Sequence, residues 1–179
     1  LNWYAPASIL DDVMQRVILI RHAEAEEAVS DDDASRRLTA RGRERMAQAA
    51  RGMRGLADDV SIIAHSPLMR AVETAAIIAH EFVGVRRQRL ELLLPGSDPA
   101  QLLSWVGGND GTAVLVGHEP LLSSWIGYAV SGTPRSIVHM KKSAACLLEI
   151  PPNAAAGQAS ILWLMTWRQL ASLSRTTGT

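Results

Sequence analysis

Three tracts of this sequence carry side chains suited to holding and transferring an anion: Arg21-His22, His65-Ser66-Pro67 with Arg70 one helical turn further on, and Gly117-His118-Glu119. The guanidinium of an arginine is a planar fork that takes two oxygens of a phosphoryl group at once, which a lysine ammonium cannot do. A neutral histidine offers one ring nitrogen as a nucleophile, and it changes charge near neutral pH. Each residue taken singly has an ordinary structural reading, because an Arg-His pair arises by chance and a histidine after a strand is often hydrogen-bonded scaffolding. The case for chemistry rests on three separate tracts that carry it together. His65 reads first as local packing or capping, with pocket lining second. His80 falls mid-helix and His139 stands beside Lys141-Lys142, and both read as solvated surface positions.

The elements around the tracts explain how they could meet. Each tract follows a short β-branched or aliphatic run, at residues 16–20 (RVILI), 60–65 (VSIIAH) and 112–116 (TAVLV), the pattern of strands buried on both faces of a parallel sheet. Ser66-Pro67 then opens a helix to about Phe82 through Leu68, Ala71, Val72, Ala75, Ile78 and Ala79, with Gly84 beyond its end. Further helices are expected from Asp98-Pro99 to the glycine-rich cluster at 107–111, from Glu119-Pro120 through Ile126, and over 39–56 with Thr39 as cap and an arginine-rich outer face. Residues 143–150 and 160–165 read as a late strand pair around the turn at 151–158. This alternation predicts one three-layer α/β/α domain with a mostly parallel central sheet over residues 16–175, preceded by an extension over 1–15 that carries Trp3 and Tyr4. In open sheets of this kind ligands bind beyond the carboxyl ends of the strands, where the three tracts lie.

Composition removes several alternatives. The 179 residues hold 18 Lys+Arg against 18 Asp+Glu, so there is no net positive field of the sort that draws nucleic acid, and none is expected as a partner. One cysteine, Cys146, excludes an intramolecular disulfide framework and a multi-cysteine metal site, and it suits a reducing compartment; the cytoplasm is the expected location. The best apolar stretch, 161–167, stops at Arg168, far short of a membrane span, and Asp11 and Asp12 interrupt the region where a signal peptide would lie. The five histidines include no close-spaced H-x-x-x-H pair, and no P-loop, dinucleotide-binding, nucleophile-elbow or H-E-x-x-H pattern occurs, so no metal and no cofactor are expected.

Arg21-His22-Ala23-Glu24 resembles the Arg-His-Gly signature of the histidine phosphatase superfamily, whose fold is phosphoglycerate-mutase-like. Ser66-Pro67-x-x-Arg70-Ala71-x-x-Thr74-Ala75 resembles its second motif and Val116-Gly117-His118 its third. Arg36-x-Leu38-Thr39-x-x-Gly42, and Leu90-Glu91 followed by Pro95-Gly96-Ser97-Asp98, are similar to the SixA-type phosphohistidine phosphatases. The resemblance covers about residues 16–150. It implies that His22 is the nucleophile, that Arg21, Arg70 and His118 hold the phosphoryl oxygens, and that Ser66, His65 and Glu119 are lesser substrate contacts. Glu91 stands ahead of Glu119 as general acid; the plain alternatives are a solvated strand end for Glu91 and a helix-capping carboxylate for Glu119. Ala23 departs from the family's usual glycine and puts the shape of the nucleophile loop in question.

Only 47 residues lie between Arg70 and His118, which leaves no room for a cap domain and predicts an open, shallow site. The expected activity is metal-independent hydrolysis of phosphohistidine on a protein of the histidine-phosphotransfer type. A broad phosphomonoesterase for small phosphate esters and a non-catalytic phosphate-binding module are the other readings. The acidic run Glu24, Glu26, Glu27, Asp31, Asp32 and Asp33 reads first as a solvated loop; folded back, it would overhang the site and disfavour polyanions.

Overall fold

The apolar runs form strands in a computed structural model that describes residues 14–27, 32–57 and 59–174. Of the expected extension, residues 1–13 lie outside the described residues, and Gln15 already belongs to the first strand. The strands are β1 (Gln15–Arg21), β2 (Val60–His65), β3 (Arg86–Arg89), β4 (Thr112–Gly117), β5 (Ala145–Ile150) and β6 (Ser160–Met165). They form one sheet in the order β3-β2-β4-β1-β5-β6. The first four of that order run parallel, while β5 is antiparallel to β1 and β6 to β5.

Helices α1 (Ala40–Arg54), α2 (Met69–Glu81) and α5 (Trp167–Leu173) cover one face of the sheet, and α3 (Pro99–Gly107) and α4 (Leu121–Ser131) cover the other. The period of two along each strand divides the side chains between two cores. Ile18, Ile20, Ile63, Val114 and Val116 meet Met46, Met53, Ala75 and Ile78 on the first face. Val17, Leu19, Ile62, Ala113 and Leu115 meet Leu102, Val106, Leu122 and Trp125 on the second. Burial on both faces is why these strands read as unbroken apolar runs. This is the expected three-layer α/β/α arrangement with a mostly parallel sheet, and between Arg70 and His118 the chain forms only α2, β3, a 3₁₀ turn, α3 and β4.

Two helix starts follow the sequence signals. The Thr39 hydroxyl accepts the Gly42 N–H at 2.9 Å and the Asp98 carboxylate accepts the Ala100 N–H at 2.9 Å. Two features differ from expectation. Leu68, not Ser66, is the N-cap of α2, because the Ser66 N–H still bonds the Val116 carbonyl of β4 and holds the chain extended there. The second is α5, which the sequence reading passes over although Thr166-x-x-Gln169 forms a reciprocal capping box. No helix among the described residues is long and apolar enough to cross a membrane.

Candidate active site

His22 follows β1 directly and is held from both sides of its main chain: its N–H donates to the Gly117 carbonyl of β4 at 3.0 Å, and the next N–H, that of Ala23, donates to the Thr74 hydroxyl at 3.0 Å. Thr74 in turn donates to the Arg70 carbonyl on α2, so one hydroxyl ties the histidine loop to the helix bearing the second arginine. Ala23 has a negative φ and is fully buried, so alanine meets no backbone penalty there and the loop shape questioned from the sequence is unstrained at this residue.

The His22 Nδ1 lies 2.7 Å from the Ala23 carbonyl oxygen. A carbonyl only accepts, so in the neutral ring Nδ1 carries the proton and Nε2 keeps the lone pair. Burial pulls the His22 pKa from 6.5 down to about 3 against the raising effect of the Ala23 hydrogen bond, with His118, Arg70 and Arg21 adding to the depression. The ring is therefore neutral across the physiological range, the form in which its Nε2 is nucleophilic.

His118 follows β4, and its ring centroid sits 5.0 Å from that of His22 at an angle of 51°. Its pKa falls to about 4, first through burial and then through Arg70, with Asp33 opposing and Arg21 adding. Among the described residues both of its ring nitrogens lack a protein partner, as do the buried Nε atoms of Arg21 and Arg70. Buried polar groups are ordinarily hydrogen-bonded, and each unsatisfied one costs roughly 1–3 kcal/mol. An oxyanion beside His22 could accept from all three residues.

Each guanidinium is aimed by a loop that folds over the sheet edge. Arg21 Nη1 donates to the Met140 carbonyl at 2.8 Å. The turn after Met140 is pinned to the same strand end, because the Ser143 N–H donates to the Arg21 carbonyl at 3.1 Å and Ser143 adopts a φ of 60°. Glu119 supports this from below. One of its carboxylate oxygens accepts the Met140 N–H at 3.3 Å and the other accepts from Ser123 at the start of α4. Glu119 is thereby engaged on both oxygens, the capping role foreseen for it with a loop tether added.

Arg70 is 6% exposed, and its Nη1 and Nη2 donate to the carbonyl and carboxylate of Asp33 at 2.7 and 2.9 Å. The reading of the acidic run as a solvated loop holds for its exposed members but not for Asp33, which folds back onto the site while staying half exposed. Arg36 draws Asp33 in with a further ion pair at 2.8 Å. Glu24 turns instead toward α1 and accepts from Arg41 and Arg45. Glu26, Glu27 and Asp32 are exposed, and Asp31 lies outside the described residues.

Of the remaining expected residues, His65 donates from Nδ1 to the Ser66 carbonyl at 3.0 Å, and Ser66 is fully buried at the end of β2. Glu91 opens the 3₁₀ turn Glu91–Leu93 after β3; its side chain is exposed and paired with Arg89 at 2.7 Å. Leu90 donates to the His65 carbonyl, which puts Glu91 at the same sheet edge without a contact to His22 or Arg70. Met140 as an Arg21 partner is an addition that sequence reasoning missed, and Asp33 follows the second reading of the acidic run, in which it folds back over the site. His80 and His139 are exposed, as expected.

Residues 17–92 match the histidine phosphatase superfamily (branch 1). An uncharacterized protein of a Picosynechococcus species is 32% identical over 139 residues, 75% of this chain and 83% of that protein. The chain belongs to the histidine phosphatase superfamily. Its fold is that of the protein histidine phosphatase SixA, solved in complex with tungstate, with a TM-score of 0.76 at 20% identity over 87% of this chain and 99% of that one. A phosphoserine phosphatase from Entamoeba histolytica, solved with 3-phosphoglyceric acid, shares the fold at a TM-score of 0.63 and 19% identity, over 87% and 98% of the two chains. Membership makes this protein a phosphatase that works through a histidine.

Proposed function

We propose that this phosphatase removes the phosphoryl group from phosphohistidine on a protein of the histidine-phosphotransfer type, without a metal, through a covalent intermediate on His22, within one catalytic domain over residues 16–175. The observation that carries this reading is the neutral His22 ring with its Nε2 lone pair free, set against the unpartnered polar atoms of Arg21, Arg70 and His118. In the first step the Nε2 lone pair forms a bond to phosphorus while the bond to the substrate ring, protonated on its other nitrogen, breaks and its electron pair goes to that ring, which departs as neutral imidazole. In the second, water attacks phosphorus, the P–Nε2 bond breaks, its electrons return to His22, and the proton of the water passes to solvent. Arg21, Arg70 and His118 stabilise the charge spread over the phosphoryl oxygens in both steps.

The uncapped site favours a phosphoryl group displayed on a protein surface. The broad use of small phosphate esters asks more of a proton donor, since an alkoxide leaves poorly, and we assign that donation to Glu91. His65 and Ser66 shape the floor of the site. Cys146 is fully buried, and burial pushes its thiol up to about 12, so it is a packed residue and not a nucleophile; the cytoplasm remains the location we propose.

Acid-quenched protein incubated with labelled substrate should carry acid-labile, alkali-stable label on His22, and a His22→Ala variant should carry none. Turnover should persist in excess chelator. Glu91→Gln should slow hydrolysis of alkyl phosphates much more than that of a phosphohistidine protein. Label on Ser66, or activity lost to chelator and restored by zinc or magnesium, would contradict the mechanism.

A further inference from the structure

Beside the phosphoryl site, and sharing Arg21 with it, lies a trough of about 630 Å³. Its walls come from four parts of the chain: Arg21 at the end of β1, Arg45 on α1, Lys141 and Lys142 on the turn that holds Arg21, and Trp167 with Arg168 at the start of α5. Its single acidic member, Glu24, is bound by Arg41 and Arg45. Lys141, Lys142 and Arg168 are exposed and form no close ion pair among the described residues, although Lys142 lies near enough to Glu24 to favour its charged form. Trp167 holds two guanidinium groups in place by cation–π contact, Arg45 at 4.9 Å and Arg168 at 5.5 Å from the ring centroid.

The far side of the site carries acidic residues. Asp33 lies over Arg70 and is ion-paired with both Arg70 and Arg36, while Glu26, Glu27 and Asp32 are exposed. A chain with no net charge thus places exposed cations on one flank of the phosphoryl site and the exposed carboxylates of Glu26 and Glu27 on the other. Charges distributed in this way contribute mainly to orientation and encounter.

We propose that the trough is a substrate subsite for acidic side chains that flank the phosphorylated residue of a protein substrate; the proposal rests on the reading of that substrate as a protein. The form of the trough suits side chains rather than one small metabolite. It is open, it is walled by exposed lysines whose hydrated ammoniums attract carboxylates without fixing one geometry, and it leads outward from Arg21. A substrate with acid on that flank is attracted by the trough and, in the reverse orientation, meets the exposed carboxylates of Glu26 and Glu27, so the charges select one direction of docking.

The test uses phosphohistidine peptides of equal length with acidic, neutral or basic flanks. Three exposed pairs of ordinary strength give the acidic peptide a KM about tenfold below that of the neutral one, and the advantage shrinks as salt is added. In a K141E/K142E variant, and separately in R168E on a different element, the preference should move toward the basic peptide. That inversion is a readout that simple misfolding does not produce. Equal KM values for the three peptides in the wild-type protein, or variants that lose all three equally, would overturn the subsite. A parallel arm does not depend on phosphohistidine turnover: an unphosphorylated acidic peptide should inhibit hydrolysis of p-nitrophenyl phosphate, while a neutral one should not. If that inhibition appears and no phosphohistidine peptide is cleaved, the substrate reading fails and the acidic subsite stands. If a short nucleic acid inhibits better than the acidic peptide, the assignment to a protein partner is wrong.

Discussion

Arg70 is buried at 6% exposure, and its planar fork is already shaped around two oxygens, those of Asp33. A phosphoryl group presents the same pair of acceptors with more charge, and that charge grows toward the transition state. Arg70→Ala should therefore lower kcat/KM by about 2 to 4 kcal/mol, roughly 30- to 1000-fold. Arg70→Lys should recover part of this only, because an ammonium cannot reproduce the fork. Near-normal turnover in Arg70→Ala would make Arg70 scaffolding. The two histidines give a second expectation. Unfolded, they bind protons below about 6.5, whereas folded they stay neutral until about 3 for His22 and about 4 for His118. Between those limits the unfolded chain holds more protons, so this contribution to stability is complete above pH 6.5 and is lost as the pH falls, by roughly 1.4 kcal/mol per unit for each histidine. Urea midpoints at pH 7 and pH 5 should differ less in His118→Gln than in the wild-type protein; an equal drop would show that His118 is not the source. His22, Arg21, Arg70 and His118 were legible in the sequence because their chemistry resides in the side-chain type. Asp33 was legible only as the second reading of the acidic run, since a loop must fold back before a carboxylate can claim Arg70, and Met140 was not legible because a backbone carbonyl carries no residue-type signal at all.

The helix pair α1 and α5 shows what one element demands of another. A Cβ placed on Gly52 of α1 would sit 1.7 Å from the Leu170 carbonyl oxygen of α5, a contact with backbone that cannot rotate away. Gly52→Ala should separate the helices and cost about 1–3 kcal/mol, despite alanine's better helix propensity. A lowered Tm together with loss of α5 protection in hydrogen exchange would support this, and a Tm at or above the wild-type value would refute it. The strands were readable because burial on two faces leaves uninterrupted apolar runs, as in VILI of β1. The start of α2 was misplaced because a sheet bond at Ser66 outlasts the helix signal of Ser66-Pro67. α5 escaped notice because seven residues give too little periodicity, and its capping box was the signal left unread. β3, an edge strand of sequence RRQR, has no apolar alternation, and a strand was expected there only from its place before Glu91 between two helices; its arginines keep that edge soluble.

At the scale of the molecule, the charge balance of 18 against 18 conceals a division between the trough side and the Asp33 side that no composition can report. Fold class followed from the order of runs, whereas that division appears only once α5 and the turn after Met140 come together beside β1. The strand order also sets a timetable. β1, which delivers His22, pairs only with β4 and β5, and the nearer of these begins at Thr112. A ribosome that adds 5–20 residues per second needs about 5 to 20 seconds to make the intervening stretch of roughly 90 residues. β2 and β3 find each other meanwhile, but the VILI segment emerges first and waits with both edges unpaired. Stalled nascent chains that end before Thr112 should be cut by protease near residues 15–21 and bound there by a holding chaperone, and chains long enough to expose Ile150 outside the ribosome should be neither. Equal protection in both would mean that β1 finds a temporary partner. The nucleophile is thus made before β4 and secured only after it, so a chain broken off between the two carries the catalytic histidine but no activity.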